Sequence, residues 1–339
     1  MNSKNILLPL IALMIITVEA ATSIEKDDGA CKSTNVVEKE REFTKDFSGT
    51  FNGKRLNYKA GLKEKILYEK DDPSAPMASF FYTEYVVDSE ENRPVIFSFN
   101  GGPGSASLWL HMGVLGPKIV KVPSDASDDG SPPYNIVDNE LSPLSDADLV
   151  FIDPVGTGYS RAVGCHESEE FWGVNEDPKI IAEFIRRWIT DNKRWNSPRY
   201  ILGESYGGIR GPLLVSELRS GDITPIEVNG LLLVAPASDY QYLVFHPGNN
   251  SPYYGFLPSY AATAFYHGKV NTDKSLQNFY EDSKKFSLEE YGPALLKGSR
   301  ISNSEYKSIK LGPSISFFSQ ELKKKGKSKR INFNFFIIL

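Results

Sequence analysis

The chain has 339 residues, 40% hydrophobic and 12% aromatic, enough to bury a large core as one big domain with an insertion or as two smaller domains. Its formal net charge of −5 supplies no global basic face, which argues against a nucleic-acid partner. Four histidines and two cysteines leave little material for a metal site, so neither a metal nor a cofactor is expected.

Residues 1–20 read as a signal peptide: Lys4 opens it, an apolar run over 6–18 is broken by Pro9, and Val18-Glu19-Ala20 resembles a small-x-small cleavage site. The competing reading is an anchor helix, but a span takes about 20 apolar residues and this run is shorter. The expectation is export, to a periplasm or the medium, with no stable membrane span after cleavage. In an oxidising compartment Cys31 and Cys165 can form one disulfide or remain two free thiols. Residues 21–45, charged and small up to Arg41, have the profile of a flexible lead-in.

The next region, 46–238, reads as the core. Two short β-prone runs flank Asn52-Gly53, a dipeptide that accepts the positive φ angles of a hairpin turn. Residues 77–87 and 94–99 read as further strands, and 148–153 as a short buried one. Residues 178–192 have a helical period that puts Ile181, Phe184, Ile185, Trp188 and Ile189 on one face, with Asp177 as N-cap and Pro178 at the first helical position. Strand 200–202, a helix over 209–219 and strand 228–234 follow. This alternation predicts an α/β fold, a mainly parallel sheet with helices on both faces.

In such a sheet the strand C-termini share one edge, where ligands bind. Three loops should converge there: Asn100-Gly101-Gly102-Pro103-Gly104, the stretch 153–160, and Gly203-Glu204-Ser205-Tyr206-Gly207. The last, set between strand and helix, matches a nucleophile elbow and makes Ser205 the candidate nucleophile. One oxyanion donor would then be the amide of Tyr206, and Gly101-Gly102 fits the second. The Asn100 loop lacks the Gly-Lys-Ser/Thr ending of a phosphate-binding loop, and Gly156-x-Gly158 lacks the third glycine of a dinucleotide site.

Residues 239–310 leave the alternation, are rich in Tyr, Phe and Pro, and read as an inserted cap. A triad in the order Ser, acid, His leaves only His246 and His267 as bases, both cap-borne and poorly placed for the role. Residues 311–339, a Lys-rich run and then an apolar stretch, read as a divergent tail.

Asn100-Gly101-Gly102-Pro103-Gly104-Ser105, Leu115-Gly116-Pro117, Asp153-Pro154-Val155-Gly156-Thr157-Gly158-Tyr159-Ser160 and the Ser205 pentapeptide occur in an order that resembles the serine carboxypeptidases of the α/β-hydrolase fold, nearest the bacterial exported branch. Phe171-Trp172-Gly173-Val174 and the stretch 260–268 resemble it too. The resemblance implies Ser205 as nucleophile, the amides of Gly102 and Tyr206 as oxyanion hole, and Asn100, Gly101 and Glu204 as binders of a peptide's terminal carboxylate. A carboxyl placed beside a second anion keeps a proton and can donate it in a hydrogen bond, which implies exopeptidase activity best at acidic pH.

Two positions depart from the pattern: Val114 stands where many members carry an acid, and Ser105 where many carry Cys. The family's catalytic Asp and His lie beyond the cap, in a stretch with no counterpart here. The resemblance therefore implies a peptidase lacking its C-terminal strands and its base, inactive as it stands, with an exposed sheet edge. The alternatives are a non-catalytic peptide- or acyl-binding remnant, or an esterase or acyltransferase acting on a small acyl substrate. Oligomeric state is left open.

Overall fold

Asn52 and Gly53 both take positive φ, 47° and 76°, the geometry a two-residue hairpin turn needs. They join β1 (Glu42–Phe51) to β2 (Lys54–Tyr68), which runs antiparallel to β3 (Pro76–Val87). The structure, a computed structural model, describes residues 39–89, 92–123, 131–220 and 224–310. The signal segment, Cys31 and the tail after 310 lie outside the described residues. Pairing of β1 starts at Glu42, inside the stretch read as lead-in.

The chain continues through β4 (Val95–Phe99) and a small ladder of β5 (Lys118–Val120) with β6 (Ile136–Asp138), then β7 (Asp148–Ile152), the two-residue β8 (Arg161–Ala162), β9 (Arg199–Glu204) and β10 (Gly230–Val234). The main sheet has the order β1-β2-β3-β7-β4-β9-β10, with β8 on β3. Three antiparallel strands lead into a parallel half in which β4 lies between β7 and β9.

Side chains alternate across this sheet as a period of two requires. Phe97, Phe99, Val150 and Ile152 enter one core with α2 (Glu176–Asp191) and α3 (Gly207–Ser220). Leu149, Phe151 and Leu202 enter a second core on the opposite face. That face is covered by the single turn α1 (Leu108–Leu110), which runs into a π-turn at His111–Leu115, and by the 3₁₀ turn Pro143–Ser145. Helices α2 and α3 therefore share one face, and short turns pack against the other.

Helix α2 starts two residues before the predicted point, with Asn175 as N-cap. Asp177 is a helical residue, and its carboxylate leaves the helix end for a partner on α3, described below. After β10 come α4 (Ser251–Tyr266), α5 (Leu276–Phe286), α6 (Gly292–Lys297) and α7 (Asn303–Lys310). They form a separate apolar cluster around Leu257, Phe286 and Tyr291. Among the described residues no helix is long and apolar enough to cross a membrane.

Strand β10 pairs only with β9 among the described residues, and Leu231 to Val234 are 38–42% exposed. An apolar edge strand with unpaired backbone groups is a template for association.

Near the other end of the sheet Cys165 is disulfide-bonded. Its neighbour His166 bonds Glu69 through Nε2 at 3.0 Å and Glu170 through Nδ1 at 2.9 Å. Burial pulls the imidazole pKa down, but the two carboxylates outweigh it and the net shift is upward. A group raised in the folded state stabilises fully below its unfolded value, about 6.5, and loses that contribution as pH rises through the raised value. The melting-temperature gap between wild type and His166→Gln is expected to be widest near pH 5.5 and to close by about pH 8.5. A gap that stays constant over this range would refute the assignment.

Candidate active site

The chain reverses within two residues, Ser205 and Tyr206, between β9 and α3. Ser205 has φ 56°, a left-handed conformation that costs a non-glycine residue on the order of 1–3 kcal/mol and persists only where the surroundings enforce it. They do so here: the Ser205 amide donates to the Val234 carbonyl at 3.0 Å, and the Ser205 carbonyl accepts from Ala237 at 2.8 Å and Gly208 at 2.9 Å.

The glycines answer to sterics. A Cβ on Gly203 would lie 2.9 Å from the Gly207 backbone and 2.8 Å from the Phe99 ring, so strand and helix close together only without it. A Cβ on Gly101 would lie 2.6 Å from both the Glu204 carbonyl and the Tyr206 nitrogen. The Asn100 loop is thus in backbone contact with the elbow.

Asn100 is fully buried and held from several sides. Its Oδ1 accepts from the Leu110 amide at 3.0 Å, and its Nδ2 donates to Glu204 Oε2 at 3.1 Å. The structure therefore brings Asn100, Gly101, Glu204, Ser205 and Tyr206 together at one sheet edge, with Gly102 next in the loop at φ 106°. The loop over 153–160 joins them through Asp153, whose carboxylate accepts from the Ser107 amide at 2.8 Å. Burial raises the Asp153 pKa, and the Ser107 bond works against that.

No histidine among the described residues hydrogen-bonds the Ser205 hydroxyl, which has no side-chain partner there. His111 is half-buried, stacks on Phe151 and bonds Tyr85 at 2.6 Å, and desolvation lowers its pKa to about 4, which favours the neutral imidazole. His166 is committed to its two carboxylates. His246 bonds its neighbour's carbonyl at 2.9 Å and His267 packs on Tyr266, neither in the elbow.

The sequence reading missed Arg210. It is 1% exposed in α3, and its Nε donates to Asp177 Oδ2 at 2.6 Å. Burial raises the Asp177 pKa and the guanidinium opposes it. The capping pattern Asp-Pro concealed the pair, because the same two letters serve an N-cap equally well.

Fold and elbow define an α/β-hydrolase whose serine stands at a strand-to-helix turn. A sequence model of the serine carboxypeptidases matches residues 67–310, and the chain belongs to that family. Serine carboxypeptidase-like 2 of Arabidopsis thaliana is 30% identical over 167 residues, 46% of this chain and 36% of the relative. Serine carboxypeptidase-like 1 of the same plant is 29% identical over 218 residues, 61% of this chain and 44% of the relative. These matches span less than half the length of the curated relatives. Among solved structures, a prohormone-processing carboxypeptidase from Saccharomyces cerevisiae aligns at 19% identity and TM-score 0.39, over 70% of this chain and 49% of that one.

Proposed function

We propose that this chain carries the nucleophile and the carboxylate-binding groups of a serine carboxypeptidase site, acting on the C-terminal residue of a peptide through an acyl-enzyme on Ser205. The observation that carries the reading is the Asn100 Nδ2 to Glu204 Oε2 contact at 3.1 Å, directly beside the Ser205 turn and the Gly101 backbone. The Asn100 side-chain amide and the Gly101 backbone N–H are donors suited to a terminal carboxylate, and hydrogen bonds to a charged group contribute roughly 1.5–3 kcal/mol each. The amides of Gly102 and Tyr206 are the candidate oxyanion donors. The amino-terminal stretch 1–20 fits export, periplasmic or secreted.

Among the described residues no base reaches Ser205, and what those residues offer acyl transfer is binding and the oxyanion donors. Such remainders leave roughly 10³ to 10⁴-fold acceleration over water.

The test is calorimetric binding of one peptide in two forms, free acid and C-terminal amide. The acid should bind about tenfold tighter or better, and Asn100→Ala should erase the preference. Equal affinity for the two forms ends the carboxypeptidase reading and favours an esterase or acyltransferase site. A fluorophosphonate probe separates nucleophile from pocket: labelling lost in Ser205→Ala supports the acyl-enzyme, and acid-selective binding without labelling supports a binding protein.

A further inference from the structure

Arg210 lies one helical turn past Ser205, with its guanidinium under the Asn100 loop. Its Nη1 donates to the Asn100 carbonyl at 2.8 Å and its Nη2 to the Pro103 carbonyl at 3.4 Å, while Nε holds Asp177 at 2.6 Å. The guanidinium carbon stands 5.3 Å from the ring centres of both Phe99 and Tyr206. One side chain thus reaches the strand end before the loop, the loop itself, the residue after the serine, and α2.

Those two carbonyls bracket Gly101-Gly102, the pair with least conformational restraint in the loop. A buried ion pair is weak evidence for stability, since well-packed apolar residues of the same volume often do as well. The planar fork of arginine offers instead several donors in fixed directions. The loop it meets has no side chain at either glycine to anchor it from within.

We propose that Arg210, braced by Asp177, is the positioning residue that fixes the Asn100 to Pro103 backbone against the Ser205 elbow. Its link to catalysis rests on the reading of Gly102 and Tyr206 as oxyanion donors. Its effect on loop order does not. Arg210 touches no substrate atom; it acts through the two carbonyls it holds.

Native-state hydrogen exchange and fluorophosphonate labelling of the full chain test this together. In Arg210→Met combined with Asp177→Asn, which leaves no orphaned buried charge, amides over 100–106 should exchange at least about tenfold faster while β4 and β9 keep their protection. Labelling should slow by about 10²-fold, the size expected for misplacement on the order of 1 Å. A cavity of ≈ 340 Å³ lined by Pro103, Gly104, Val155, Trp172 and Arg210 gives a small guanidine a way in, so methylguanidine should restore much of the rate in Arg210→Ala. Arg210→Lys, if the double variant does not fold, should keep the Asp177 contact and still loosen the loop. Unchanged exchange over 100–106 in a folded variant overturns the proposal. If wild type is not labelled at all, the nucleophile reading fails while exchange still decides the role of Arg210.

Discussion

Replacing Gly101 by Ala is expected to slow labelling of Ser205 by about 10² to 10³-fold, the loss seen when one oxyanion donor is removed. The reason is geometric. The new Cβ would stand 2.6 Å from the Glu204 carbonyl, 2.6 Å from the Tyr206 nitrogen and 2.9 Å from Ser205 Cβ, distances that require something to move. None of these atoms is the free end of a flexible side chain. The elbow is itself pinned, with Ser205 bonded through backbone groups to Val234, Ala237 and Gly208. The loop must therefore lift away from the serine, carrying Gly102 with it.

Overpacking of this kind also destabilises, typically by about 1–3 kcal/mol. Gly104→Ala is the matched control, because a Cβ there meets nothing within 4 Å and its φ is not positive. The two variants share a loop and a chemical change, so a difference between them reports the elbow contact alone. Acid-selective peptide binding should weaken in Gly101→Ala and persist in Gly104→Ala. Equal behaviour of the two would mean that the loop and elbow are not in the contact described.

Local chemistry explains which parts of this molecule were legible in the sequence. Asn52-Gly53, the apolar runs of β4, β7 and β9, and the spacing of Gly203, Ser205 and Gly207 each obey a rule acting over a few residues, and each lies where that rule puts it. The one-sided face of α2 was readable for the same reason: Ile181, Phe184, Ile185, Trp188 and Ile189 are all buried.

What escaped depends on distant partners. Arg210 meets Asp177 across 33 positions and the Asn100 carbonyl across 110, and no pattern within a helix announces either contact. Strand β10 shows the converse difficulty. Its run Leu231-Leu232-Leu233-Val234 reads as a strand, and burial of so apolar a run on both faces needs neighbours that its own residues cannot specify. Among the described residues it has one neighbour and remains partly exposed.

Asp148→Ala is expected to cost about 3–5 kcal/mol, the usual effect of removing one partner from a buried ion pair. The carboxylate is 1% exposed at the start of β7, at the end of the sheet opposite the candidate site. Its Oδ1 accepts from the Val87 amide at 3.0 Å and from Arg93 Nε at 3.2 Å, and its Oδ2 from Arg194 Nη1 at 2.7 Å. It thus joins the end of β3, the entry to β4 and the segment between α2 and β9. Alanine would leave two largely buried guanidinium groups without their anion and one amide without an acceptor. Arg93 and Arg194 have other bonds, to the Leu144 and Arg93 carbonyls at 2.8 and 2.6 Å, which hold them near one another with like charge. Against a total stability of typically 5–15 kcal/mol, that loss moves the urea midpoint far toward zero. Asp148→Asn, which keeps the shape and one acceptor but loses the charge, should fall between wild type and alanine. Because the clamp lies across the sheet from Ser205, acid-selective peptide binding by the folded fraction should survive both changes. A midpoint shift equivalent to less than about 1 kcal/mol for alanine would show that the three chain segments are held together by packing rather than by this carboxylate.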